Sequence, residues 1–246
     1  MSALLRAELL KLRTTRTTWV LLAVALAIVV GALVIILALL DRGGTVNDED
    51  LGDLFSFTAI ADLLVLSLGI VAAAGEFRHG TVTAGFLITP SRWPVVVAKA
   101  VAYALVGLAY AVVTLLVVLV VALPWLAAKD VTLELGGAAW IGPVAGRLLY
   151  AALTAALGVG LGTLFRNQAA ALVTALIVIL AIEPALSAVS DAVATYGLNG
   201  ASAALFGASE SFGDVLPFWA GALLYAGYAA LFVGAGIALT LRRDVA

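Results

Sequence analysis

Two carboxylates sit where a carboxylate is expensive. Asp62 lies in "AIADLLVLSLGIV" and Glu183 in "IVILAIEPALS", both runs otherwise almost wholly apolar. A charged acid facing lipid near the middle of a bilayer costs about 2.5–3.5 kcal/mol on insertion scales. Both must therefore face protein or water. Two kinds of chemistry fit: a polar lining or outer gate of a transport path, with Asp62, Glu183 and the adjacent Pro184 as its residues, or structural acids that cap or brace helices. A third polar stretch, "GEFRHGTVTAGFLITPSRWP" from Gly75 to Pro94, adds Glu76, Arg78 and the single histidine, His79. One histidine and no cysteine exclude a His-rich metal centre, a disulfide and thiolate chemistry. No acid, base and nucleophile fall together on one face, so nothing supports catalysis. No G-x-x-x-x-G-K-[ST] occurs, so the chain has no P-loop for a nucleotide.

The elements that must position these residues follow from composition. Of the 246 residues, 64% are hydrophobic and 11% charged, against roughly 45–50% and 25% in an ordinary globular domain. The expected solvent is a bilayer, and the fold class an all-α integral membrane protein. Six runs approach the ~20 residues that cross a hydrocarbon core of ~30 Å. They are residues 19–40, 54–75, 93–123, 146–165, 169–190 and 217–241, in a single membrane domain spanning 1–246. The third is long and must tilt or project. The first has a basic flank but no small-residue cleavage site after it, and is read as a retained helix.

Lys and Arg sort to one side. Arg6, Lys11, Arg13, Arg16, Arg78, Arg92, Lys99, Arg166, Arg242 and Arg243 fall on it, while the other loops carry mostly acids with Arg42, Lys129 and Arg147. The positive-inside rule predicts that both ends of the chain and the "GEFRHGT" segment are cytoplasmic. Residues 3–14 repeat Leu4, Leu5, Leu9 and Leu12 at helical spacing beside basic residues, which predicts a helix lying along that interface. A plain basic anchor is the alternative.

The segment 76–92 is longer than a connection needs. Val82, Phe86 and Leu87 can share a face between turns, and Pro90 and Pro94 punctuate its end. Such an amphipathic element fits either a docking surface or a helix resting on lipid. Small-residue pairs Gly142/Gly146 and Gly158/Gly162 predict close helix packing, within the chain or across a dimer. Arg147 is expected to snorkel to headgroups, and Trp19, Trp93 and Trp219 to anchor span ends. Before the last span, Pro184 is expected to bias Glu183 out of helical geometry and break the fifth helix, since Ala169–Ile182 reaches only ~21 Å. Residues 184–209 would then form a hairpin dipping into the outer leaflet, with arms 185–195 and 201–206 and a turn at "YGLNG". An uninterrupted, kinked helix to Ser190 with a loose loop is the alternative.

The basic amphipathic start, six spans, "GEFRHGTVTAGFLITPSR" and "EPAL" before the last span together resemble a type-2 ABC transporter permease, the ABC-2 membrane family, over essentially the whole chain. The resemblance implies an elbow helix carrying Arg6, Glu8, Lys11 and Arg13. It also implies a cytoplasmic coupling helix carrying Glu76, Phe77, Arg78, His79, Gly80, Thr81 and Phe86, and an outer re-entrant hairpin. It implies that this chain binds no cofactor, that ATP and Mg sit in a separate ATP-binding subunit present in two copies, and that a second permease copy, identical or paralogous, completes the transporter. The setting implied is a bacterial plasma membrane, with export of an apolar or amphipathic substrate and no nucleic-acid partner. A proton-coupled secondary transporter using Asp62 and Glu183, or a non-transporting membrane subunit of a signalling complex, are the competing classes.

Overall fold

In the computed structural model the described residues are 1–39, 45–47, 61–78, 93–134, 140–207 and 215–242. His79, Gly80, Thr81, Phe86 and the rest of the expected coupling segment beyond Arg78 lie outside them, as do the first residues of the second expected span. The helices are α1 (Ser2–Thr14), α2 (Arg16–Leu39), α3 (Asp62–Arg78), α4 (Trp93–Ala128), α5 (Ile141–Phe165), α6 (Gln168–Ile177), α7 (Glu183–Ser187), α8 (Asp191–Tyr196), α9 (Leu198–Phe206) and α10 (Phe218–Arg242). A π-helical turn, Val178–Ile182, joins α6 to α7. Two three-residue strands, β1 (Thr45–Asn47) and β2 (Thr132–Glu134), pair in parallel with Thr45 opposite Thr132.

Among the described residues, five stretches are long and apolar enough to cross a bilayer: Arg16–Ala38, Trp93–Ala128, Ile141–Phe165, Gln168–Ser187 and Phe218–Thr240. This gives the chain the character of a multi-pass helical membrane protein. The remaining expected span, the second at 54–75, corresponds to α3, whose 17 described residues begin at Asp62.

Helix α5 is the axis of the bundle because its sequence is small on several faces. Gly158 and Gly162 admit Leu66, Gly69 and Ile70 of α3, Gly160 admits Phe232 of α10, and Ala151 receives Gly107 of α4. A Cβ at Gly69, Gly107 or Gly158 would run into the backbone of the neighbouring helix, so these glycines set the interhelical distance. The Gly158/Gly162 pair thus packs within the chain. Gly142 faces open space, whereas Gly146 abuts the Leu205 carbonyl of α9. On the other flank, Ala25, Val29, Leu33 and Leu37 recur every fourth residue of α2 and pack with Val65 and Leu68 of α3 and Tyr103 and Tyr110 of α4.

The side-chain contacts sort the helix ends onto two sides. Lys99 near the start of α4 meets Glu76 near the end of α3 and Glu8 of α1. Arg166 after α5 stacks on Phe77 of α3, 4.9 Å from the ring centroid, and donates to the Leu239 carbonyl of α10. Call this the first side. On the second, Lys129 after α4 donates to the Leu37 carbonyl of α2 at 2.7 Å, and β1 and β2 pair beyond the two helices. Both α1 and the C-terminal end of α10 therefore lie on the first side.

One sequence-based expectation fails near the second side. The fifth transmembrane helix does not break at Glu183, which is helical at φ −65° and ψ −46°. Pro184 lacks an N–H and its ring would strike the carbonyl four residues back, and the chain answers by widening one turn. The Glu183 N–H reaches the Val178 carbonyl, five residues back, and the helix continues to Ser187. Its 20 residues make ~30 Å, so the length mismatch disappears. The break comes after Ser187. The residues beyond it form α8 and α9, joined at Gly197, and α9 packs on α5 and α10 with Ala201, Leu205 and Phe206 buried. This is not the loose loop: two short helices meet within the expected "YGLNG" turn, with the first beginning at Asp191 rather than at residue 185.

Candidate functional site

Helix α3 carries an acid near each end, and each acid finds bases on other helices. Glu76 belongs to a closed ring of alternating charge on the first side. Lys11 donates to Glu8 at 2.7 Å and to Glu76 at 2.8 Å, and Lys99 donates to Glu8 at 2.7 Å and to Glu76 at 2.9 Å. Two carboxylates and two ammonium groups leave no net charge, and three helices, α1, α3 and α4, are tied at one point. Local sequence explains half of it. Glu8 and Lys11 are three apart on α1 and so share a face, and Leu5, Leu9 and Leu12 turn that face onto the bundle. Packing thus holds α1 against the bundle.

Burial alone would push the Glu76 carboxyl up, but Lys99 and Lys11 outweigh it and hold it below its ordinary value. Burial correspondingly lowers Lys11, and its bonds to Glu76 and Glu8 more than reverse this, leaving it raised. The lysines differ in exposure. The Lys99 side chain is 6% exposed and that of Lys11 56%, so Lys99 is the inner post of the ring and Lys11 its outer clasp.

The other acid forms a fully enclosed pair. Arg147 Nη1 lies 2.6 Å from Asp62 Oδ2 and Nη2 lies 3.0 Å from Oδ1, with both side chains 0% exposed. The expectation that Arg147 snorkels to headgroups is therefore wrong. Position 147 is six residues into α5 and faces α3, so the fork reaches an acid sooner than it reaches water. Asp62 faces protein, as its cost in lipid requires, and its side chain is fully enclosed. Tyr110 of α4 and Tyr150 of α5 lie within electrostatic reach of the pair, and the Thr154 hydroxyl of α5 is 2.9 Å from that of Tyr225 of α10.

Glu183 has separate partners. Its Oε1 accepts the Asn199 N–H at 2.7 Å, so the carboxylate caps the N-terminus of α9 and tethers α7 to it. Glycine suits that junction, because a Cβ at Gly197 would run into the Val193 carbonyl as well as the same Glu183 oxygen. Pro184 is in the first turn of α7. The remaining candidates are more dispersed: Arg6, Arg13 and Arg78 are exposed, and Phe77 meets Arg166. No group of three metal-ligating side chains occurs among the described residues.

Sequence reasoning named Glu8, Lys11 and Glu76 singly and missed that they form one ring with Lys99. It missed Arg147 as the partner of Asp62, although an arginine inside an apolar helix is itself a sign that an acid must be near. Comparison with protein-family models, curated proteins and solved structures finds no match for this chain.

Proposed function

We propose that the chain is the permease subunit of an ATP-driven exporter of the ABC-2 type, working beside a separate ATP-binding subunit. The observation that carries this reading is the charge ring. It clamps the amphipathic α1 to the end of α3, where the segment 76–92 begins, and to the start of α4. A push delivered to that segment by a partner would reach three helices at once through Glu76. Phe77 is linked in the same way, through Arg166, to the ends of α5 and α10. The first side is then cytoplasmic, in agreement with its excess of Lys and Arg, and α1 is the elbow helix. On this reading α8 and α9 cover the outer mouth with Glu183 as their tether, a second copy of the permease completes the path, and the substrate is apolar or amphipathic. A proton relay through Asp62 and Glu183 draws less support, because each acid is engaged by its own partners in a different part of the bundle.

The test is purification of the tagged chain from its own cell in mild detergent, followed by identification of what co-elutes. The expected result is an ATPase in equal number to the permease, whose hydrolysis rate changes on reconstitution with this chain. Glu76→Ala with Arg78→Ala should leave insertion intact and abolish that change. Elution without an ATPase, or full coupling in the double variant, overturns the reading. For sidedness, the chain has no cysteine. Single cysteines at 48 and 210 should therefore react with an impermeant reagent from outside the cell, and those at 79 and 167 should not.

A further inference from the structure

Arg147 uses both of its terminal nitrogens on Asp62, but its third donor, Nε–H, has no partner among the described residues despite complete burial. Two other buried polar atoms are in the same condition nearby, the Tyr110 hydroxyl and Thr114 Oγ1. The residues are 4% and 1% exposed. Tyr110 and Thr114 are one helical turn apart on α4, their hydroxyls neighbours without meeting in hydrogen-bond geometry, and Tyr110 is within electrostatic reach of both Asp62 and Arg147. The helix crossing explains the convergence. Gly107 lets α4 touch α5 at Ala151, and one turn further toward the second side from each contact point stand Tyr110 or Ala111 on α4 and Arg147 on α5.

A guanidinium Nε–H can only donate, whereas the two hydroxyls can donate or accept. Three buried, unpartnered groups of this kind on two packed helices supply what an internal water needs, which is two to four polar partners. We propose that α3, α4 and α5 enclose a hydration site, in which one or two water molecules accept from Arg147 Nε–H and bond the hydroxyls of Tyr110 and Thr114. The water completes the solvation of the Asp62–Arg147 pair and extends it to α4, so that one polar centre joins three helices. The same chemistry accounts for hydroxyl-bearing residues at the buried positions 110 and 114. This inference does not depend on the transport reading.

The experiment is solid-state NMR on the full chain in phosphatidylcholine and phosphatidylglycerol vesicles, with ¹⁵N-arginine and ¹³C-aspartate labels. The Arg147 guanidinium is recognised by its Nη contact with an aspartate carboxyl. Magnetisation started on water should arrive at its Nε–H within a short mixing time. In Tyr110→Phe/Thr114→Val that transfer should be lost while the contact with Asp62 persists. Absence of transfer in the wild-type chain overturns the proposal, since the donor is then dry. Undiminished transfer in the double variant overturns it too, because the water is then not held by these hydroxyls. If the double variant does not insert, the near-isosteric Thr114→Val alone should weaken the transfer, and the wild-type spectrum remains decisive either way.

Discussion

The two ends of α3 solve the same electrostatic problem in opposite ways. Asp62 and Glu76 are fourteen residues apart on one helix, about 21 Å, and each is an acid matched to bases on other helices. At Asp62 the match is bidentate, one to one and closed to solvent. At Glu76 it is shared among four groups, one of them more than half exposed. An enclosed pair has no alternative partner when broken, so it locks α3 to α5. In the ring only Lys11 is open to water, so its bonds can be lost and replaced by solvent at small cost, while Lys99 and Glu8 stay enclosed. One end of α3 is sealed throughout and the other has one solvent-exposed member.

The sharpest way to break that contrast is at the enclosed end. Asp62→Ala leaves a buried guanidinium without a counter-ion and should cost about 3–5 kcal/mol, read as a loss of folded protein or a large fall in unfolding midpoint in detergent. Replacing both members, Asp62→Leu with Arg147→Met, should restore most of the loss. A double variant as damaged as the single one would mean that the pair does more than neutralise itself. At the ring, Lys99→Ala deprives both carboxylates of their inner partner and should cost about 1.5–3 kcal/mol in the same assay, with α1 the first segment to gain hydrogen exchange.

A packing control separates electrostatics from fit. Gly146→Ala forces a Cβ against the Leu205 carbonyl and should destabilise by about 1–3 kcal/mol, whereas Gly142→Ala, with nothing within 4 Å, should change stability by less than about 0.5 kcal/mol. Equal effects would show that α9 does not rest on α5.

The smallest effect belongs to Lys11→Ala, about 0–1 kcal/mol and reduced further by salt. Its pH dependence has a defined sign. Glu76 is held below its ordinary value of 4.5, so its contribution is present above that pH and is lost as pH falls through the lower folded value. Lys11 is held above 10.5, so its contribution is present below that pH and is lost as pH rises through the higher folded value. Protection of α1 amides should therefore be flat between roughly pH 5 and 10 and decline outside it. A decline centred near pH 7 would assign the ring's titration to some other group.

The bilayer solvent, the helical class and the places of most spans were legible in the sequence because each rests on a local quantity, the length and apolarity of a run. Arg147 shows what a local quantity leaves out. Its distance from a span end is readable, but whether it turns to headgroups or to Asp62, 85 positions away, depends on the rotation of α5 against α3. That rotation is set by where Gly158 and Gly162 let the helices touch.

Residues 183 and 184 show the same limit from the backbone side. The sequence alone determined that proline must disturb the helix, since a missing N–H and a ring clash are properties of the residue. Only the tertiary structure decided that the disturbance is a widened turn rather than a break. The widened turn keeps a backbone bond from the Glu183 N–H to the Val178 carbonyl, and the N-terminus of α9 gives the Glu183 carboxylate a partner that keeps it in place. Likewise the charges of Glu8, Lys11, Glu76 and Lys99 are visible in the sequence. That they close into one ring is a fact of three helix ends meeting, which no spacing along the chain encodes.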